Sequence, residues 1–274
     1  MIDLSLSMLF RLKTALDNQE SEFIYNVLEI QNSSKNGQSA YRFWYDDFRE
    51  NLDSREGDIY EFGVYRGSSL LSFALLAKRL GSKKHFWGFD SFSGFPGYSS
   101  QDELINFKLE NGFSEKLIAD HKLLLELKSS NIKVRFNDQK LSNKLQNIGE
   151  SGLFEDTSYQ SLLEKIDLLE LDNITLVPGD FSETVPKHFS TVKPSVFSAN
   201  IDCDLFSGYE ICLPYVFKYL EIGGYIHLDE YYSLKYPGPK IATDNFLSCT
   251  TNALLKKNST RDGEFERYYI LKKI

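Results

Sequence analysis

Four acidic residues stand at the ends of two predicted strands: Asp202 and Asp204 in "IDCD", and Asp229 and Glu230 in "HLDE". Residues two apart in an extended chain face the same side, so Asp202 and Asp204 point in one direction. Neighbouring parallel strands lie about 5 Å apart, so carboxylates from both strand ends can converge on one point. Acids this close repel each other unless a cation lies among them. An all-oxygen donor set favours Mg²⁺, Ca²⁺ or Mn²⁺ over zinc.

The same residues also have simpler interpretations. Asp202 and Asp229 could cap strand ends, and Asp204 could be the N-cap of a helix that begins near Ser207. His227, two residues before Asp229, is either a rival base or a buried, hydrogen-bonded side chain. The spacing alone leaves the choice between a metal site and a set of caps open.

A second group of candidate residues lies nearer the N-terminus, in "EFGVYRG" and "GFDSFSG". Gly63 and Gly67 would let the backbone approach a ligand closely, and the helix that follows offers free N–H groups. Asp90 could hold two vicinal ribose hydroxyls or cap the turn "SFSG". A nicotinamide dinucleotide usually requires GxGxxG, which this loop lacks. S-adenosylmethionine has no phosphate, and its cationic sulfonium tolerates an acid such as Glu61.

Alternating strands and helices must position these residues. A helix over "SSLLSFALLAKRL" should stop at Gly81, and a later helix should run from a capping box at Ser207 and Glu210 to the paired glycines of "EIGG". Such alternation predicts a mainly parallel sheet with helices on both faces. The tail "GEFERYYILKK" predicts a final antiparallel strand at the sheet edge, paired with part of "NALLKK". The other predicted strands are "GDIYEFGV", "HFWGFD", "NITLVPGD", "PSVFSANID" and "YIHLDE".

We expect one domain over residues 1–274, with two additions to the sheet. Residues 1–50 read as an N-terminal helical cap whose apolar stripe needs either its own core or another subunit, which leaves a homodimer open. Residues 98–150 form a polar insertion with one amphipathic helix, "SEKLIADHKLLLELKSS". This insertion is either a lid or a surface decoration.

Composition excludes several classes of protein. The net charge of −8 argues against an extended nucleic-acid surface. No stretch is long and apolar enough to span a bilayer, and the start of the chain lacks the features of a signal peptide. The 3 cysteines form no CxxC pair. We therefore expect a reduced, cytoplasmic protein without membrane insertion.

Five blocks of the sequence together resemble the TylF/MycF/NovP family of S-adenosylmethionine-dependent sugar O-methyltransferases, over roughly residues 55–97 and 150–274. They are "YEFGVYRGSSLL", "WGFDSFSGFP", "VPGDFSETVP", "IDCDLFSGYE" and "GGYIHLDEYYSLKYPGPKIATDNF". The resemblance implies a class I methyltransferase fold, a Rossmann-like, mainly parallel seven-stranded sheet whose last strand is antiparallel. The insertion at 98–150 is unusual for the family, and Glu230 stands where the family more often has aspartate.

The resemblance also implies roles for individual residues. A divalent metal, Mg²⁺ first among the candidates, would be held by Asp202, Asp229 and Glu230, with Asp204 as the general base. The cofactor S-adenosylmethionine would contact a set of residues along the first strands: Glu61, Gly63 and Gly67 at the methionine, Asp90 and Ser91 at the ribose, and Asp180 and Phe181 at the adenine.

The function implied is metal-dependent O-methylation of a sugar hydroxyl on a nucleotide sugar, a glycan or a glycosylated natural product. A catechol or other phenol is the alternative acceptor, because a metal site of the same kind would serve its hydroxyl groups equally well. Two more remote alternatives are an NAD-dependent oxidoreductase and a non-catalytic cofactor-binding protein. The missing GxGxxG disfavours the first of these, and the clustered acids disfavour the second.

Overall fold

A computed structural model describes residues 47–48, 50–52, 54–136, 154–258 and 265–273, with the backbone alone for 129–136. In chain order its elements are β1 (Asp58–Phe62), α1 (Ser68–Arg79), β2 (Phe86–Asp90), α2 (Glu115–Phe136), α3 (Tyr159–Leu168), β3 (Ile174–Pro178), α4 (Phe181–Val192), β4 (Val196–Ile201), α5 (Phe206–Tyr219), β5 (Leu220–Ser233), α6 (Gly238–Ser248), β6 (Ala253–Lys257) and β7 (Phe265–Lys272). Short 3-10 helices at Ser100–Asp102, Leu104–Asn106 and Leu109–Asn111 precede α2. Almost all of the predicted N-terminal cap, and residues 137–150 of the insertion, lie outside the described residues.

The strands form one 7-stranded sheet in the order β3-β2-β1-β4-β5-β7-β6. Strands β1 to β5 are parallel, and β7 runs antiparallel to both of its neighbours. The predicted pairing of the tail with "NALLKK" is confirmed, but the predicted edge position of the tail is wrong. Strand β7 lies between β5 and β6 and buries Ile270 completely. Strand β6 is the edge strand on this side of the sheet. It is short and ends in lysine, and both features suit an edge strand that faces solvent.

The central strands are buried on both faces, which explains why they read as continuous apolar runs. Side chains alternate between two hydrophobic cores along β1. Ile59 packs in the core beneath α1 and α3. Tyr60 and Phe62 pack in the opposite core, beneath α4, α5 and α6. The helices therefore cover both faces, as the sequence predicts.

Helix α5 departs from the predicted bounds at both ends. It begins at Phe206 and not at a Ser207 capping box, and its N-cap is Leu205, which makes no side-chain cap. It ends at Tyr219, because Leu220 already pairs with Val196 of β4. The paired glycines then lie within β5, where the register shifts between Val196 and Ser198. Glycine is common at such irregularities in strands, so the pair marks a bulge and not the end of a helix.

The insertion packs against the sheet domain through a small apolar cluster of its own. Phe107, Phe113 and Leu117 are buried together with Leu234, which follows β5. The His121 ring lies with Nδ1 2.7 Å from the Leu234 carbonyl oxygen. The predicted helix in this segment is confirmed by α2. Among the described residues, no helix combines the length and the apolar character needed to cross a membrane.

Gly63, directly after β1, has φ +90°, and a Cβ there would lie 1.7 Å from the backbone oxygen of Asp202. Gly81 has a similar φ of +73°, but a Cβ there would meet nothing within 4 Å. We expect Gly81→Ala to lower the free energy of unfolding by about 1–2 kcal/mol, the cost of a left-handed residue with a side chain. Gly63→Ala should cost more than about 3 kcal/mol, because the Asp202 backbone must also move. Urea unfolding of the two variants gives the comparison, and equal costs would contradict the role of close approach at Gly63.

Candidate active site

A cleft of about 680 Å³ opens over the carboxyl ends of the parallel strands. This is where ligands bind in doubly wound sheets. Most of the residues singled out from the sequence line it: Gly63, Asp90, Ser91, Asp180, Phe181, Asp202, Asp204, Asp229 and Glu230. Glu61 and Gly67 are not among the lining residues.

The strand-end acids converge as the sequence predicts. Ile201, the last residue of β4, is in register with Leu228 of β5, so Asp202 follows the end of β4 beside Asp229 and Glu230, which lie within β5. One carboxylate oxygen from each of these 3 residues lies within 4.8 Å of the others. The group is an all-oxygen donor set at the floor of the cleft.

The surroundings shift the pKa values of these acids in different directions. Burial raises the pKa of Glu230 well above its ordinary value, and the charges of Asp202 and Asp229 raise it further. Burial likewise raises the pKa of Asp202, with Asp229 and Asp204 adding to the effect. Burial alone would raise the pKa of Asp229 too, but the Arg267 guanidinium holds it below its ordinary value. Without a cation, the cluster is therefore driven to retain protons.

Arg267 and Tyr209 position this cluster, and sequence reasoning missed both. From β7, Arg267 donates Nε to Asp229 Oδ1 at 2.9 Å and Nη2 to Oδ2 at 3.3 Å. From α5, the Tyr209 hydroxyl lies 2.7 Å from Glu230 Oε2 and accepts the Glu230 backbone N–H at 3.1 Å. Tyr209 lies in "SGYE", but its distance along the chain from "HLDE" does not predict that its hydroxyl contacts Glu230.

Asp204 is set apart from the other acids by its backbone. Its φ is +61°, in the left-handed region, and its N–H donates to Glu230 Oε2 at 3.3 Å. Burial first, and then the charge of Asp229, raise the pKa of Asp204 to about 7, while Lys235 opposes the shift. The alternative interpretation of Asp204 as a helix N-cap is wrong, because Leu205 occupies that position.

Asp90 organises the loop that follows β1. Its Oδ2 accepts the backbone N–H groups of Val64 and Tyr65, both at 2.8 Å, and its Oδ1 accepts that of Phe92 at 2.7 Å. The turn-capping interpretation is therefore confirmed. A carboxylate has about four acceptor positions, so one is left for a ligand in the cleft.

The other residues predicted to hold the cofactor have structural tasks as well. Ser91 Oγ donates to the Gly94 carbonyl at 2.6 Å. Asp180 is the N-cap of α4, where its Oδ1 accepts from the Ser182 N–H at 2.8 Å. Phe181, the first residue of α4, presents its ring edge-on to Phe62 with centroids 6.1 Å apart.

Glu61 lies inside the sheet and not in the cleft. It is fully buried, with Oε1 accepting from the Ser69 hydroxyl and, at 3.2 Å, from Asn200 Nδ2. Burial raises the pKa of Glu61 to about 7 despite these hydrogen bonds. A Cβ at Gly67 would lie 2.4 Å from Leu162 of α3, so Gly67 serves helix packing.

His227, the rival base, is fully buried in β5. Its Nδ1 lies 3.0 Å from Asn200 Oδ1. The residue does not line the cleft. The interpretation of His227 as a buried, hydrogen-bonded residue is confirmed.

The order of strands, the reversed β7 and the cleft over the strand ends define a class I methyltransferase fold. The model of the macrocin-O-methyltransferase (TylF) family matches residues 49–175. The predicted similarity to this family is confirmed, and the protein is an S-adenosylmethionine-dependent O-methyltransferase.

Solved structures share the fold. The O-methyltransferase NovP is 18% identical with a TM-score of 0.55, covering 84% of this chain and 76% of its own. The calicheamicin methyltransferase CalS11 is 22% identical with a TM-score of 0.56, covering 98% of this chain and 93% of its own. Apo CalS11, a TDP-rhamnose 3′-O-methyltransferase, is 20% identical with a TM-score of 0.52, covering 96% and 92%. No curated protein matches this chain in sequence.

The raised pKa values predict a pH-dependent response to metal. A carboxyl group whose pKa is higher in the folded than in the unfolded protein destabilises the fold as pH rises from about 4 to about 7. Asp204, with a pKa of about 7, and Glu230 act in this direction. We expect saturating Mg²⁺ to raise the melting temperature by roughly 5–10 °C at pH 8 and by much less at pH 5, measured by calorimetry.

Glu230→Gln is the matched variant for this measurement, because it keeps the shape of the side chain and removes one charge. It should melt higher than wild type at pH 8 without metal and gain less from Mg²⁺. An equal effect of Mg²⁺ at both pH values in the wild type would count against a cation among these acids.

Proposed function

We propose that the protein transfers a methyl group from S-adenosylmethionine to a sugar hydroxyl, with a divalent cation held by Asp202, Asp229 and Glu230 and with Asp204 as the general base. The observation that carries the proposal is the convergence of these ligand oxygens within 4.8 Å in a methyltransferase cleft. Asp204 lines the same cleft. Most of the residues proposed to contact the cofactor and the acceptor line this one cavity.

The cofactor side of the cleft runs from the loop after β1 to the start of α4. Asp90 has one acceptor position left for a ribose hydroxyl, and its other bonds hold the Val64 and Tyr65 amides around the same space. Phe181 and Asp180 line the cleft and would lie near the adenine ring, and Ser91, which also lines it, would join Asp90 at the ribose. Glu61 would act on the methionine end indirectly, through Ser69, which does line the cleft.

The donor set fits Mg²⁺. All its ligands are carboxylate oxygens, the type that hard cations prefer. Arg267 and Tyr209 engage these carboxylates but leave further acceptor positions on each of them. A divalent cation bound there would act as a Lewis acid toward the acceptor hydroxyl.

Asp204 would remove the acceptor proton. A pKa of about 7 is suited to a general base at neutral pH, because the group is then partly ionised and still basic. That oxygen would then accept the methyl group of S-adenosylmethionine, with the carbon–sulfur bond breaking and its electron pair staying on sulfur, to give S-adenosylhomocysteine and the methyl ether.

A sugar is the acceptor favoured by two lines of support. The first is the similarity to macrocin-O-methyltransferase (TylF) and to CalS11, which acts on TDP-rhamnose. The second is the wall of the cleft, where the Phe95 ring lies edge-on to the rings of Tyr98 and Tyr236. Aromatic side chains of this kind suit ligands with both apolar and polar faces, such as a sugar ring.

Methyl transfer tests the proposal directly. We expect labelled methyl to pass from S-adenosylmethionine to at least one member of a panel of nucleotide sugars, TDP-rhamnose among them, and aryl glycosides. The transfer should require Mg²⁺ and stop with EDTA. Turnover of catechol alone would move the acceptor class to phenols, and EDTA-resistant turnover would refute the metal.

Asp204→Asn separates the base from the ligands. We expect turnover to fall about 10²–10⁴-fold, with affinities for Mg²⁺ and S-adenosylhomocysteine near wild type, because only proton removal is lost. Asp202→Asn is the matched variant, and its defect should be partly rescued by excess Mg²⁺. If Asp204→Asn turns over normally, or if excess metal rescues it, Asp204 is not the base.

Asp90→Asn tests the ribose contact. We expect at least about tenfold weaker binding of S-adenosylhomocysteine by calorimetry, because the hydrogen bond from the ribose hydroxyl would go to a neutral amide oxygen and no longer to a charged carboxylate. The Val64 and Tyr65 amides still need a partner, so a comparison of melting temperatures must accompany the titration. Unchanged affinity in a folded variant would show that Asp90 serves the loop alone.

A further inference from the structure

Asp102 belongs to the insertion, yet it is only 4% exposed, and its carboxylate serves two segments of the chain. Its Oδ2 accepts from the Ser99 N–H at 2.9 Å and from the Ser99 hydroxyl at 2.7 Å. Its Oδ1 accepts from the backbone N–H of Phe206 at 2.7 Å, across 104 residues of sequence. Phe206 is the first residue of α5, so an acid of the insertion satisfies a free N–H group at the start of that helix.

The bonded amide lies two residues after Asp204. The left-handed φ of +61° at Asp204 is uncommon for a residue with a side chain and persists only where its surroundings hold it. On one side, the Asp204 N–H is held by Glu230 at 3.3 Å. On the other side, the Leu205 N–H bonds the Cys203 carbonyl at 2.6 Å, and Asp102 holds Phe206 next in the chain. The turn that carries Asp204 is therefore fixed at both ends.

The same carboxylate fixes a second part of the cleft wall. Tyr98, four residues before Asp102 in the chain, lines the cleft. Burial first, and then the charges of Asp204 and Asp102, raise the pKa of Tyr98 to about 12, as expected for a ring close to both acids. A Cβ at Gly238, where α6 begins, would lie 2.0 Å from Asp102 Oδ1. Asp102 is thus buried against the first residues of α5 and α6.

We infer that Asp102 is a positioning residue, which ties residues 98–102 to the Asp204 turn so that Tyr98 and Asp204 form one wall of the acceptor site. The inference rests on the proposed function, because Asp204 receives its catalytic role there. It assigns the first part of the insertion to the wall of the acceptor site. Cofactor binding, on the Asp90 side of the cleft, should be independent of this contact.

The test compares Asp102→Ala, Asp102→Asn and Ser114→Ala. Ser114 lies in the same insertion, where its hydroxyl accepts the Leu117 N–H at 3.2 Å, so Ser114→Ala controls for the loss of a hydrogen bond within the insertion itself. For the panel acceptor with the highest turnover, we expect Asp102→Ala to raise KM and lower kcat, with kcat/KM reduced roughly 10–100-fold. Asp102→Asn should lose less, because its amide oxygen can still accept from Phe206. S-adenosylhomocysteine affinity should stay within about twofold throughout.

Hydrogen exchange supplies a readout that needs no acceptor. In Asp102→Ala, amides of residues 99–111 and of the first turn of α5 should exchange faster, while β1 and β4 keep their protection. Unchanged exchange at Phe206, or unchanged acceptor kinetics in Asp102→Ala, would overturn the inference. If Asp102→Ala does not fold, Asp102→Asn is judged by its acceptor kinetics and by exchange at Ser99, whose N–H and hydroxyl lose the second carboxylate oxygen as their acceptor. If the wild type methylates no acceptor, the proposed function fails, and the exchange data alone decide whether Asp102 couples the insertion to α5.

Discussion

The crowding of acidic groups just beyond the point where β4 stops pairing with β5 is the constraint on which the rest of the site depends. Asp202, Asp229 and Glu230 place carboxylate oxygens within 4.8 Å of one another, and Asp204 adds a fourth acid. Buried like charges are costly, and a protein compensates with protons, with cationic side chains or with a metal. Here Arg267 balances one acid, while the pKa values of the others are raised. The remaining demand for positive charge is what a divalent cation would meet.

Residues of the neighbouring elements hold these acids in place. Tyr209 reaches from α5 to Glu230, and the backbone N–H of Asp204 bonds the same carboxylate. Glycine at position 63 lets β1 pass close to the Asp202 backbone. The acids are thus held by contacts from β1, α5 and β7, which keeps their geometry fixed before any ligand arrives. Such preorganisation is what catalysis by positioned charges requires.

Asp90, at the end of β2, can satisfy two demands at once. Asp90 holds the amides of Val64, Tyr65 and Phe92, so it shapes the loop whether or not a ribose is bound. Asp180 both lines the cleft and caps α4. In each case, the structural task fixes the side chain in the place where a ligand would need it. A side chain that makes a structural contact can therefore also bind a ligand.

Local patterns in the sequence specify the alternation of strands and helices and bring four acids to one edge of the sheet. Both follow from local periodicity and from the rule that parallel strands end on the same side. The ends of α5, the placement of β7 inside the sheet and the burial of Glu61 were decided by tertiary structure. So were the contacts of Arg267 with Asp229, 38 residues apart, and of Asp102 with Phe206, 104 residues apart. Contacts between distant segments depend on how whole elements pack, and no local pattern of residues records that.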